Sequence, residues 1–268
     1  MFIESFREIV VEPVRTTPAY RTAWQNTVCG GARAAFDRMG TALCYCMCWQ
    51  YMHFESLSSI LARGHTDDYI APLVIDVGAG PATVAAALAQ RSIERHDQTL
   101  SLGYVGVELY GPMRDIGDQF LQDNSLFDVV DKVWLEQIDD LSPNVVEPVS
   151  NGCDALIFAC SYILRQPHVD TGFAERLARG VARVRSHWPD LPAYFLYQDV
   201  SGGDRSNIYA FLDELRRNGY YAAGKDQFLR QDQAFARLDG GIDRRPHSGQ
   251  NEDYRNVHFR FDQVRVQM

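Results

Sequence analysis

Leu73-Val-Ile-Asp-Val-Gly-Ala-Gly-Pro-Ala-Thr-Val-Ala-Ala-Ala-Leu-Ala89 reads as a short apolar strand, a glycine turn and an alanine-rich helix. Gly78 and Gly80 carry no Cβ, so the backbone of the turn can approach a ligand closely. The helix beyond the turn offers unpaired N–H groups and the positive end of its dipole at the same place. Asp76, two residues before Gly78, ends the strand where its carboxylate faces that ligand. Nucleotide sites of several kinds are built in this way.

The next apolar strand, Tyr104-Val-Gly-Val-Glu-Leu109, also ends in an acid, Glu108. A carboxylate there can accept from two vicinal ribose hydroxyls at once. Asp76-x-Gly78-x-Gly80-x-Ala82 followed by this acid resembles the opening motifs of class I S-adenosylmethionine-dependent methyltransferases. The family pattern is acidic-x-Gly-x-Gly-x-Gly, and Ala82 stands in place of the last glycine. The resemblance implies that Asp76, Gly78, Ala79 and Gly80 hold the cofactor, with Glu108 and Leu109 at its ribose. The interval between the two acids is longer than the family's, and polar Arg91-Ser-Ile-Glu-Arg-His-Asp-Gln98 is expected to supply the excess as a loop. A flavin-type fold stays open, because Gly78-Ala-Gly-Pro-Ala-Thr83 carries the first glycines of that fingerprint. Thr83 stands where close helix–strand packing favours another glycine.

At 268 residues and 46% hydrophobic, the chain suits one large domain or a domain with an appended cap. Its 35 acids against 26 bases leave a formal charge of −9. That balance argues against holding nucleic acid by broad phosphate attraction. No apolar run approaches the ~18 residues of a membrane span. Met1-Phe-Ile-Glu-Ser-Phe-Arg-Glu8 is too acidic and too broken for a secretory signal, so a cytoplasmic protein is expected.

Four of the six cysteines fall early, at Cys29 and in Cys44-Tyr-Cys-Met-Cys48. Metal knuckles prefer Cys-x-x-Cys, which brings both thiolates to one side of a tight turn. Here the surroundings read helical, with Met39, Leu43, Met47, Phe54, Leu57 and Leu61 at spacings near three and four. Only Cys44 and Cys48 share a face of such a helix. The cluster is expected to pack as small hydrophobes, with no metal.

Residues 1–70 read as a mainly helical cap, and residues 71–268 as alternating strand and helix, the pattern of a parallel sheet covered on both faces. Strands are expected near 73–77, 103–108, 131–136, 154–160 and 193–199, and helices near 81–91, 111–123, 171–188 and 205–218. Tyr220-Tyr221 opens a further extended segment, 239–253 is a loop, and Val257–Val266 alternates as a strand. This order resembles the whole class I methyltransferase fold: a Rossmann-like, seven-stranded, mostly parallel sheet whose final strand enters antiparallel beside the fifth. The cofactor is then expected across the carboxyl ends of the first strands.

The resemblance carries further positions. Gln137-Ile138 follows the third strand, where the family's loop reaches the adenine, and Asp139 competes with Gln137 for that role. The fourth strand leads to Ala159-Cys-Ser-Tyr162, without the Asn/Asp-Pro-Pro-Tyr/Phe of nucleic-acid amino methylation. Tyr162 can offer an aromatic face to a sulfonium or simply pack in the core. Cys160 has no adjacent base and reads as core. Asp199, at the end of the fifth strand, is a candidate to orient or deprotonate the acceptor, or a turn acid.

The expected activity is thus methyl transfer from S-adenosylmethionine, with a small-molecule acceptor favoured over protein or RNA and a homo-oligomer possible. A flavin or nicotinamide oxidoreductase and a non-catalytic partner protein that keeps the cofactor fold are the rivals. The cap is expected on the acceptor side, its stripe buried against the sheet domain or serving as a dimer seam, with Tyr20, Arg21 and Trp24 facing the acceptor. A chain starting near His65 would then retain some cofactor affinity but lose transfer activity, or, if the stripe is a dimer seam, give a soluble and still active monomer.

Overall fold

The computed structural model describes residues 1–20, 38–62, 70–164, 169–200, 204–220, 230–237 and 256–268. Strand β1 (Pro72–Val77), apolar except for Asp76, is buried along its whole length, as befits a strand covered on both faces. Around it runs a sheet in the order β3-β2-β1-β4-β5-β7-β6. Strands β2 (Leu100–Val107), β3 (Phe127–Leu135), β4 (Ala155–Ser161) and β5 (Ala193–Val200) pair in parallel with their neighbours. Strand β7 (Asn256–Gln267) runs antiparallel between β5 and β6 (Arg230–Arg237). On the far edge, β3 exposes Asp128, Val129 and Asp131, charges that blunt edge-to-edge pairing.

Two helical layers cover the sheet. Helices α1 (residues 2–16), α2 (residues 39–61), α3 (Thr83–His96) and α4 (Gly111–Leu121) pack on the face carrying Val74, Tyr104, Ile157 and Leu196. Helices α5 (Thr171–His187) and α6 (Ser206–Arg217) pack on the face of Ile75, Phe158 and Phe195. Phe2 stacks on Phe54 at 3.8 Å between ring centroids and ties α1 to α2. Trp134 fills the space between β2 and α4, where a Cβ on Gly106 would lie 2.2 Å from its ring.

Helices α1 and α2 each contain one wider turn with i→i+5 bonding, Arg7–Val11 and Cys46–Gln50. In α2 the reason lies in the apolar spacing. Leu43, Met47 and Tyr51 are buried and four apart, and each such step overshoots a full turn of a 3.6-residue helix by ~40°. The wider turn takes up the excess, so Phe54, Leu57 and Leu61 return to the same buried face. The stripe is therefore covered within the chain by α1, α3 and α4 and is not left open as a seam.

Several expectations need correction. The stretch 91–98 is not a loop, since α3 continues to His96 before Asp97 turns left-handed. Strands β2 and β3 begin earlier than expected, and β6 was not located from the sequence. The extended segment from Tyr221, the 239–253 loop, Cys29, Arg21 and Trp24 lie outside the described residues. Cys44 and Cys46 are buried, with the Cys46 thiol 3.9 Å from the Met113 sulfur. Among the described residues no three His, Cys, Asp or Glu side chains gather as a metal set. No described helix is long and apolar enough to cross a membrane.

Candidate functional site

The sheet order reverses between β1 and β4, which leaves a crevice at the carboxyl ends of the strands. Into it the chain turns through Gly78 and Gly80, both at positive φ (69° and 50°). A Cβ on Gly78 would meet Ile163 at 3.0 Å, so this position needs glycine for conformation and for space. The N–H groups of Gly78 and Ala79 donate to the Val107 carbonyl at 2.9 and 3.1 Å, pinning the turn to β2. Ala82 is left-handed at φ 58°, immediately before α3.

Glu108 closes the turn from the other side. Its Oε2 accepts from the Gly80 N–H at 2.9 Å and its Oε1 from the Tyr110 N–H at 3.0 Å. Arg114 donates to the Glu108 main-chain carbonyl and pairs with Glu136, each at 2.9 Å. Burial pushes the Glu108 pKa up, against the pull of those backbone donors and of Arg114. Glu108 lines the cavity and can still accept from a ligand hydroxyl there.

Asp76 is fully buried beneath the turn. Its Oδ2 accepts from the Tyr104 hydroxyl at 3.1 Å, while Oδ1 has no partner among the described residues. Burial is the main cause that raises its pKa to about 7; the Tyr104 bond opposes the shift and the nearby Glu108 charge adds to it. A carboxylate oxygen left unpaired in a desolvated wall invites a cation or a strong donor.

These groups bound a cavity of about 690 Å³, within the range of small-molecule and cofactor sites. Asp76, Gly78, Ala79, Gly80, Glu108, Leu109, Gln137 and Ile138 all line it, and so does Tyr162. Asp139, the competitor of Gln137, is not in the wall and pairs with Arg176 at 3.6 Å. Asp199 does not reach the cavity either. It is buried in β5, and by strand alternation it faces away from α2, whereas its neighbour Gln198 faces towards it. Gln198 is not in the wall either; its amide donates to the His53 carbonyl at 3.2 Å and to Ser161 Oγ at 3.3 Å, holding α2 against the end of β4.

The cap, expected on the acceptor side through Tyr20, Arg21 and Trp24, reaches the wall through two residues of α2 that the sequence reading did not single out, Tyr45 and His53; Tyr20 is not in the wall. The His53 ring stacks on Tyr162 with centroids 3.8 Å apart and planes 15° apart. The Tyr162 hydroxyl meets Ser56 Oγ at 3.2 Å. Tyr162 holds φ at 57°, a conformation strained for any residue with a Cβ and one that clusters at functional sites. The available signal was His53 itself, a polar side chain close to Met47, Tyr51 and Phe54 of the apolar stripe.

Fold and site together define a Rossmann-like α/β protein with a cofactor-sized crevice at its strand ends. No family model matches the sequence, and no curated protein does. Similar solved structures include a proposed S-adenosyl-L-methionine-dependent methyltransferase of Methanococcus maripaludis (15% identity over 70% of this chain and 75% of that one, TM-score 0.40). Precorrin-8w decarboxylase of Methanobacterium thermoautotrophicum is another (12% identity, 80% and 90% covered, TM-score 0.44). An S-adenosylmethionine-dependent methyltransferase of Methanosarcina mazei is a third (11%, 78% and 96%, TM-score 0.39).

Proposed function

We propose that the chain binds S-adenosylmethionine and transfers its methyl group to a small-molecule acceptor. The observation that carries this is the paired arrangement of Asp76 and Glu108 around the glycine turn in one cavity wall. The free Oδ1 of Asp76 suits the ammonium of an amino-acid tail. Glu108, an acceptor in the wall, suits the ribose hydroxyls, and Gln137 with the Ile138 N–H suits an adenine edge. Bound there, the cofactor supplies a methyl carbon made electrophilic by its sulfonium. The protein's part is to hold donor and acceptor in line and keep water out, which asks for position more than for acid–base groups. Tyr45 and Tyr162 offer ring faces to a cation. The acceptor enters beside α2, and the protein works away from membranes, in the cytoplasm.

Calorimetry tests this reading. S-adenosylmethionine and S-adenosylhomocysteine are expected to bind while NAD and FAD stay inert, and Glu108→Ala is expected to lower affinity ten- to about a hundredfold, the worth of charged hydrogen bonds. Tight dinucleotide binding with no response to either sulfur compound would sink it in favour of an oxidoreductase.

A further inference from the structure

We propose that the His53–Tyr162 stack is the acceptor subsite, built for an aromatic hydroxyl compound without negative charge whose O–H donates to His53. This rests on the methyl-transfer reading above and names the substrate class for that site.

Three observations converge on it. The His53 ring lines the cavity, and no described residue gives either of its ring nitrogens a hydrogen bond. A polar ring so placed on a cavity wall is waiting for a ligand's donor or acceptor. The ring is also held. Tyr162 covers one face at 3.8 Å, Tyr45 stands edge-on with centroids 6.3 Å away, and Gln198 fixes the main chain behind it. The walls also disfavour an anion, since Asp76, Glu108, Glu136 and Asp170 all line them. Among the described wall residues the one cation is Arg176, already paired with Asp139 and set 6.0 Å over the Phe173 ring. A carboxylate or phosphate acceptor finds no partner there, whereas a flat neutral ring finds aromatic and apolar contacts from Tyr162, Ile163 and Met113.

The chemistry balances. The acceptor oxygen gives a lone pair to the methyl carbon, the carbon–sulfur pair stays on sulfur, and the hydroxyl proton passes to a His53 ring nitrogen. Burial pushes the His53 pKa down to about 3, so the ring is neutral and able to accept throughout the physiological range. Its weak basicity suffices, because an aryl ether oxygen still carrying its proton is a far stronger acid than any imidazolium.

The test uses the full chain loaded with S-adenosylhomocysteine, with catechol as the probe and its dimethyl ether veratrole as the control without a donor. Catechol is expected to bind about tenfold more tightly than veratrole and to shift the ¹⁵N resonance of one His53 ring nitrogen. His53→Phe, which keeps a ring against Tyr162 but removes both nitrogens, is expected to erase the difference and leave S-adenosylhomocysteine binding unchanged. Equal binding of the two probes, no binding of either, or an undisturbed His53 resonance would overturn the proposal. The ¹⁵N readout decides the matter in the unaltered protein even if His53→Phe does not fold. The two probes are also titrated into the ligand-free chain, so failure of S-adenosylhomocysteine to bind would strike the cofactor assignment while the catechol preference is still read there.

Discussion

At Asp76 the two carboxylate oxygens live differently, one bonded to Tyr104 and one unpaired, and this splits the pH response of the protein in two. The folded pKa, about 7, lies above the usual 3.8, so the fold favours the neutral acid. Its contribution to stability is full below about pH 4 and is lost as pH rises through 7. Cofactor binding has the opposite sign, because an ammonium prefers the ionised carboxylate. S-adenosylhomocysteine affinity is therefore expected to rise about tenfold between pH 6 and pH 8, following the ionised fraction, while the ligand-free melting temperature falls over the same range. Asp76→Asn should flatten both curves, as calorimetry and thermal melts would report. A second residue-scale test lies at Ala82, left-handed at φ 58°. A Cβ in that region costs about 1–2 kcal/mol, partly offset by the greater chain entropy that glycine loses. Ala82→Gly is expected to raise unfolding free energy by about 0.5–1 kcal/mol in denaturant titration and to leave cofactor affinity alone.

Among the elements, α2 carries a conspicuous internal conflict. Gln50 ends its wider turn, is 1% exposed, and finds no partner for either amide atom among the described residues. Leaving such a group unpaired costs about 1–3 kcal/mol, so Gln50→Met, of similar shape, is expected to raise the melting temperature. A lowered one would mean that the amide does have a partner. How far each element could be read in advance follows from where its information lies. β1, the glycine turn and α3 were legible because strand run, turn residues and alanine-rich helix sit in one continuous stretch, with only the end of α3 misjudged through its polar Arg91–His96. β6 was not legible, since Arg230-Gln-Asp-Gln-Ala-Phe-Ala-Arg237 has no β-branched residue and little alternation. The cofactor wall follows local motifs at strand ends. The His53–Tyr162 side depends on α2 meeting the end of β4, and the Ser56–Tyr162 contact there joins positions 106 apart in the chain, which no local pattern encodes.

Over the whole molecule, α1 and α2 share one core with α3, α4 and the sheet, so they are structural before they are anything else. A chain starting at residue 63 would leave Ala85, Leu88, Phe120 and Tyr104 without their cover. It is expected to show no cooperative melt, in contrast to the partial cofactor affinity its sequence suggests, and a sharp thermal transition in that shortened chain would refute this. The two faces of the sheet also have different histories along the chain. The helices of the first layer all lie before residue 122, and those of the second layer lie after residue 170. During synthesis the ribosome therefore releases β1 and β2 with one side already roofed and the other, with Leu73, Ile75, Val77, Val105 and Val107, still bare. Until α5 and α6 emerge, that bare side is sticky, and it is the surface on which a nascent chain of this protein would call for a chaperone.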